Sequence, residues 1–545
     1  MINVLYIINE SEVGGAALSL LNMLEANKGK LNPVIVIPAS GSLEERISQL
    51  QIKYCIVPFE TDNKVIGEHT DAQRDRVFTN NYQAAATVQK IIKEMNIQLI
   101  HTNSSISNVG AIAALMAGIP HVWHIRELLE EDFNCEFVDK KLKMDLLGCA
   151  DAVISISHCV REAFKQKYDI DSVCIYNGVS TSRFLCRDLT TKNNNYFMIA
   201  GLIFPNKGQL DVVKAVNILV KKGIDVQLYI AGATNGYQYK WILEKYIEKN
   251  DLQYNVHILE FQKDLRPLRE KCQFSVTASK MEALGRVTIE SMLAGCVVIG
   301  ADTEGTAEII GCDRTKGYLY EQGNHEDLAD IMQYAMEHGE QNRSIQRRAQ
   351  SYAERQFNEV SYIEKIMKVY ENVICAYKDT DINGKVCVLR KLEERYMASK
   401  RLQDDKQSDD TENEEKQIKI IKMKELMMDN LQGICSIEEA LIYRKIETIA
   451  IYGMGYFGCH LYDALENGRV RIKYVMDRAL KDVSEIINVV NLSDELPKVD
   501  AVIVTVLGNT KEIIDLLKGK SVDKIITLEE VLSWSATKGE EDIII

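Results

Sequence analysis

Two glutamates, Glu282 and Glu290, bracket the run ALGRVTI inside MEALGRVTIESMLAG. A carboxylate accepts two hydroxyl hydrogen bonds at once. A pair of them can therefore clamp diols, act as acid and base across a glycosidic bond, hold a metal, or only solvate a helix face. The surrounding residues narrow the choice. FSVTAS reads as a strand, KMEAL as the loop beyond its carboxyl end, and RVTIESMLAG as a helix closed by Gly295. CVVIGA is the next strand, and DTEGTAEII repeats the turn into a helix, bringing Thr306 and Glu308 with it. Ligands of open α/β sheets sit beyond the carboxyl ends of strands, and helix starts there offer free N–H groups to anions. Gly285 lets a ligand approach the backbone at such a start. Glu282 lies just before it and Glu290 about one turn inside the helix, so the two carboxylates flank an anion site. This layout suits a sugar–diphosphate–ribose ligand, with sugar at Glu282, phosphates at the helix start and ribose at Glu290. A hydrolase fits poorly, because a glycosidase needs its two carboxyls on opposite sides of the scissile bond.

The elements that must position these residues are α/β throughout. NVLYII, PVIVIP, YCIVPF, QLIHTN, HVWHI, DAVISIS and VCIYN are expected strands, alternating with amphipathic segments such as ALSLLNMLEA and AATVQKIIKEM. Such apolar runs linked by helices predict a parallel sheet covered on both faces. Ser42 and Glu45 in GSLEERISQL have capping-box spacing. The rhythm restarts with YFMIAGLI, VQLYIAGA, NVHILEF, QFSVTAS and CVVIGAD. Past Tyr352 the pattern is helical. RLQDDKQSDDTENEEKQIK is almost wholly polar and reads as part of a solvated linker with room for helix at its ends. A last unit opens with IETIAIYGMGYFGCHLYDALENG, a strand, a glycine turn and a helix. The expected domains are thus 1–187, 188–360, a terminal helix at 361–378, a linker at 379–430 and a small Rossmann-like domain at 431–545.

Composition bounds the function. The 545 residues carry a formal charge of −14, which argues against nucleic acid as a partner. Thirteen cysteines without a CxxC pair read as reduced thiols of a cytoplasmic protein. The amino terminus has no basic segment ahead of a signal-like apolar run, and no run approaches a membrane span. DKKLKMDLLG could touch the inner face of a membrane peripherally or be an ordinary exposed helix.

The segment around Glu282 and Glu290 resembles the donor site of family-4 glycosyltransferases, whose E-x7-E pattern it matches. DTEGTAEII resembles their second glycine loop, and NESEVGGAALSLL their amino-terminal glycine loop, with Gly14 and Gly15. IYNGVSTSRF is similar to their interdomain NGV segment, at Asn177 and Gly178, and AGLIFPNKGQ to the loop bearing a diphosphate-binding lysine, here Lys207. The resemblance covers about residues 1–378. It implies the GT-B architecture of two facing Rossmann-like doubly wound domains, here followed by the third, smaller one. It also implies retaining transfer of a sugar from a nucleotide-diphosphate sugar, a UDP-sugar in the expected form, with no metal and no further cofactor. The acceptor would be a glycan or lipid-linked molecule, in polysaccharide or glycoconjugate biosynthesis. Glu282, His124 and Lys207 would act at the reacting sugar, and Glu290, Gly285, Arg286, Val287, Thr306, Gly14 and Gly15 would bind the donor. His101, Asn103, Arg126 and Glu127 are further residues at strand ends. One position departs from the pattern: Leu202 follows Gly201 where the family has arginine, and Arg286 is the expected substitute cation. A sugar-nucleotide epimerase of the same fold, or a weakly catalytic partner subunit, remain alternatives.

In the third unit Gly453, Gly455 and Gly458 form G-x-G-x-x-G between a strand and a helix, and Asp477 ends the next strand. This is the context of a nucleotide-binding fingerprint. A module that docks a protein partner is the alternative.

Overall fold

The computed structural model describes residues 1–541 except 28, 68–70, 235, 378–381, 404–436, 479, 481–482, 508–509, 521 and 523. The chain divides into two compact units. One comprises Met1–Gly201, Asn206–Ala231 and His257–Gln407, and the other Leu202–Pro205, Gly232–Val256 and Ser408–Ile545.

The first unit holds two sheets. The amino-terminal sheet has seven strands in the spatial order Lys53–Ile56, Leu31–Ile37, Ile2–Ile7, Leu99–Thr102, His121–Ile125, Ala152–Ser155 and Val173–Cys174, all parallel. Successive side chains of Ile2–Ile7 show why its sequence is continuously apolar. Leu5 and Ile7 pack with Phe78, Val88 and Ile112, whereas Val4 and Tyr6 pack with Leu20, Leu24 and Tyr370. A strand buried on both faces needs no polar alternation. The second sheet runs Val256–Leu259, Gln227–Ala231, Asn193–Ala200, Cys272–Thr277, Val297–Ala301 and Tyr318–Tyr320. In both sheets the strand order reverses beside the first strand, so each has a switch point there. Crevices at such points are where open α/β sheets bind ligands.

Helix Glu359–Ala376 returns to the first sheet, burying Tyr362, Ile363, Ile366, Tyr370 and Val373 against it. The stretch read as linker begins with a long helix, Ile382–Gln403. It lies on the first domain through Lys385–Asp151 (2.6 Å), Arg395–Asp139 (2.7 Å) and the stacked pair Tyr396 and Tyr82. A mostly polar helix is fastened here by ion pairs and ring contacts, which hydropathy does not register. The most polar run, RLQDDKQSDDTENEEKQIK, lies almost entirely outside the described residues. The start of helix Ser42–Gln49 also differs from expectation by one residue. Gly41 is its N-cap, and the Glu44 carboxylate accepts from the Gly41 N–H at 3.1 Å. Ser42 is instead held by Glu12 through both its N–H and its hydroxyl.

DKKLKMDLLG forms helix Lys140–Gly148, whose Leu142, Leu146 and Leu147 lie in the core. Lys143 is fully buried, 3.1 Å from Asp62. The apolar face is therefore spent inside the fold, leaving Lys140 and Lys141 exposed. Among the described residues, no helix is long and apolar enough to cross a membrane.

The second unit contains a four-stranded parallel sheet in the order Arg471–Met476, Thr448–Tyr452, Ala501–Val504 and Ile525–Thr527. Helix Tyr237–Lys249, expected among the helices of the second domain, groups with this unit. Its Trp241 Nε1–H donates to both Asp463 carboxylate oxygens (2.9 and 3.0 Å), Lys245 pairs with Asp463 at 3.0 Å, and Tyr237 stacks on His460.

Candidate active site

Strand Asn193–Ala200 leads to Lys207, and the adjacent strand Cys272–Thr277 leads to Glu282, so the two residues straddle the switch point of the second sheet. Close backbone contact sets the approach. Lys280 N–H donates to Asn206 O at 2.8 Å, and a Cβ on Gly208 would lie 2.1 Å from Ala278 O, so only glycine fits. Lys207 Nζ then reaches Glu282 Oε1 at 2.8 Å, where the Ser279 hydroxyl also donates at 2.7 Å. Burial would pull the Lys207 ammonium down. The charge and hydrogen bond of Glu282, with Asp132 beyond, outweigh it and hold the group above the usual lysine value. The cation is thereby fixed in place and charged.

Gly285 is the N-cap of helix Arg286–Leu293 with φ +81, a left-handed conformation that other residues adopt at a cost. Its carbonyl accepts from Thr288 N–H at 3.0 Å, and half-buried Val287 lies in this first turn. Two buried donors beside this start have no hydrogen-bond partner among the described residues: Arg286 Nη1 and Thr306 Oγ1. The Thr306 hydroxyl is 3.7 Å from where a Gly285 side chain would begin. Buried polar groups are normally paired, so orphaned donors at a helix start fit an anion. Glu290, the expected ribose clamp, is engaged here by two arginines. Its Oε2 accepts from Arg269 Nη2 at 2.6 Å and its Oε1 from Arg286 Nε at 2.9 Å. The Arg269 side chain is only 2% exposed, so Glu290 neutralises a buried cation.

In the first domain, His101 and His124 lie on neighbouring strands and are fully buried. Arg126 Nη2, which can only donate, is 3.2 Å from His124 Nδ1. That atom is therefore an acceptor, and the proton of this imidazole is on Nε2. His101 Nε2 lies 3.3 Å from the same Nδ1, and His101 Nδ1 is 2.8 Å from the Tyr370 hydroxyl. Burial, reinforced by Arg126, holds both histidines well below the ordinary value and so neutral. The chain of bonds ends at the His124 Nε2–H, a buried donor without a partner. Arg126 also donates to Asn103 and Asn177, both at 2.8 Å, tying the strand ends to the NGV segment. Glu127 turns away into the backbone, accepting from the hydroxyls of Ser104 (2.7 Å) and Ser105 (2.6 Å).

Residues 13–183 match the family model described as Glycosyltransferase Family 4, and residues 187–352 match Glycosyl transferases group 1. The two glycosyltransferase models thus lie in tandem on this chain, whose fold is the α/β one of GT-B glycosyltransferases. An uncharacterized glycosyltransferase of Methanocaldococcus jannaschii is 22% identical over 362 residues, covering 63% of this chain and 98% of the relative. The poly(glycerol-phosphate) alpha-glucosyltransferase of Bacillus subtilis is 26% identical over 29% of this chain and 23% of its own length. The crystal structure of Anabaena HepE with UDP and glucose superposes with a TM-score of 0.56 at 23% identity, over 68% of this chain and all of HepE.

Three acidic residues of this chain lie beyond what the motifs indicated or take other roles. Glu308 bridges the two domains: its oxygens accept from His158 N–H and Cys159 N–H (both 2.9 Å), at the start of helix His158–Tyr168, and from the Tyr176 hydroxyl at 2.5 Å. Its carboxylate thereby caps the start of that helix. Glu10 fills the space beside Gly14, where an added Cβ would strike its Oε2 at 1.7 Å, whereas Gly15 faces open space. Burial, with Glu127 nearby, raises the Glu10 pKa.

Asp132 belongs to a short helix, Leu129–Phe133, whose sequence carries no motif. Asn206 Nδ2 donates to its carbonyl at 2.6 Å, bringing it to the Lys207 loop. Burial raises its carboxyl to about 6; Lys207 opposes the rise and Glu282 adds to it. Between the ordinary aspartate value of 3.8 and about 6 the folded state holds this proton more tightly than the unfolded chain, so stability falls as pH rises through that window. The penalty is complete at pH 7. Asp132→Asn is accordingly expected to melt higher than wild type at pH 7, by up to about 2 kcal/mol, with the gain shrinking as pH is lowered toward 4. Thermal melts across that range check it.

Proposed function

We propose that this protein transfers a sugar from a nucleoside-diphosphate sugar, in the UDP form, to a hydroxyl-bearing glycan or lipid-linked acceptor with retention, in polysaccharide or glycoconjugate assembly. The observation that carries the proposal is the grouping at one switch point of a fixed cation, Lys207, a sugar-sized carboxylate, Glu282, and orphaned donors at the Gly285 helix start. In this reading the bond between the anomeric carbon and the diphosphate oxygen breaks, and the electron pair leaves with the phosphate. Lys207, the helix-start N–H groups, the Thr306 hydroxyl and Arg286 Nη1 stabilise the negative charge that develops. Arg286 thus supplies part of the cation that Leu202 replaces. Glu282 and the His124 Nε2–H orient the sugar hydroxyls. The acceptor oxygen takes the vacated position on the same face, and its proton ends on the departing diphosphate. That HepE was crystallised with UDP and glucose supports the choice of donor.

The stereochemical part is tested by NMR of the product formed from an α-linked nucleotide sugar. An α-linked product at early times is expected, and a β-linked product would rule out retention.

A further inference from the structure

The three glycines of GMGYFG in the carboxyl-terminal sheet domain have separable roles. Gly453 has φ +94, and a Cβ there would lie 2.4 Å from Val506. A Cβ on Gly458 would lie 1.9 Å from Gly453 O. Packing alone demands glycine at these two. Gly455 is different: its φ is −66, and a Cβ would meet nothing within 4 Å among the described residues. It is the N-cap of helix Tyr456–Leu465, a position where Ser, Thr or Asp would accept a hydrogen bond from the helix start, and it provides no such cap. No described residue requires glycine there. An open backbone at a helix start does serve a ligand that must come close.

A second observation lies next to it. A cavity of about 340 Å³ opens at the carboxyl ends of the strands around the reversal of strand order, lined by Asp477, Arg478, Val506, Glu512, Ile513 and Leu516 among others. Asp477 follows strand Arg471–Met476 and accepts from Met454 N–H at 2.5 Å, which places its carboxylate against the glycine turn. Leu516 is 44% exposed, an apolar side chain left at the cavity wall. Together these supply three kinds of contact: an anion-accepting helix start at Gly455, two residues on from the cavity's Gly453, a carboxylate suited to a vicinal diol at Asp477, and the apolar side chains of Val506, Ile513 and Leu516, with the Arg478 cation in the same lining. Phosphate, ribose and base are the three parts of a nucleotide that such contacts suit.

We propose that this domain binds a nucleoside diphosphate, either free or within a dinucleotide or nucleotide sugar, with phosphate at Gly455, ribose at Asp477 and base over Val506, Ile513 and Leu516. The site is separate from the one at Lys207 and Glu282. The test is equilibrium dialysis of the full chain against ADP, UDP, NAD and UDP-glucose, each to millimolar concentration. The set separates the free, dinucleotide and sugar-linked forms. At least one should bind with an affinity that drops about tenfold or more in Gly455→Val, several-fold in Arg478→Ala, and not at all in Lys207→Ala. Arg478 is exposed, so its replacement leaves folding intact even if Gly455→Val melts early. Binding that only Lys207→Ala weakens, no binding by any of the four, or wild-type affinity in Arg478→Ala would overturn the proposal.

Discussion

Replacing Lys207 with alanine is expected to lower kcat for sugar transfer by about 10²–10³-fold while changing KM much less. The reason lies in when the charge develops. The donor diphosphate is anionic in the ground state, but it gains further charge as the anomeric bond breaks, and Lys207 Nζ is already held 2.8 Å from Glu282 beside the helix start. A cation placed before the reaction needs no rearrangement during it. Because Lys207 lies on a loop and not in the core, the variant should melt close to wild type. Lys207→Arg should recover only a fraction of the rate, since a planar guanidinium cannot take the same point contact with Glu282. Steady-state kinetics with a melting curve for each variant check this.

Glu290→Ala should destabilise the protein by about 3 kcal/mol, a loss of roughly 10 °C in Tm. A ribose clamp at the surface would be removed at little structural cost, but this carboxylate neutralises Arg269 inside the fold and also receives Arg286. Truncating it leaves a buried guanidinium without its anion, the expensive way to break an ion pair. Glu290→Gln keeps an acceptor and should lose about half as much. Differential scanning calorimetry distinguishes the two roles: a wild-type Tm with weakened donor binding would mean that Glu290 acts on the ligand alone. Loss of activity in Glu290→Ala is therefore poor proof of catalysis unless folding is measured with it.

The sheets were legible because strands such as Ile2–Ile7 are buried on both faces and so are apolar without interruption. The glycine turns were legible too, because positive φ at Gly285 and the backbone contact at Gly208 admit few other residues. Partnership was harder to read. The spacing of Glu282 and Glu290 suggests two similar clamps, yet one meets Lys207 and the other two arginines, and Arg269 comes from a separate helix with no motif. Asp132 escaped for the same reason: its raised pKa comes from burial beside a loop some seventy-five residues away in sequence, at Lys207. Helix Ile382–Gln403 was hidden by its own polarity, since Lys385 and Arg395 hold it by charge. Glu308 looks like a first-turn residue of its own helix, but its carboxylate serves the start of another.

The central claim is that the site around Lys207 and Glu282 activates a nucleoside-diphosphate sugar. The most direct measurement is release of nucleoside diphosphate from a panel of nucleotide sugars, with wild type and Lys207→Ala side by side. At least one donor, a UDP-sugar foremost, should be turned over by wild type and about 10²–10³-fold more slowly by the variant. No release from any donor, or equal release by the two proteins, would contradict it.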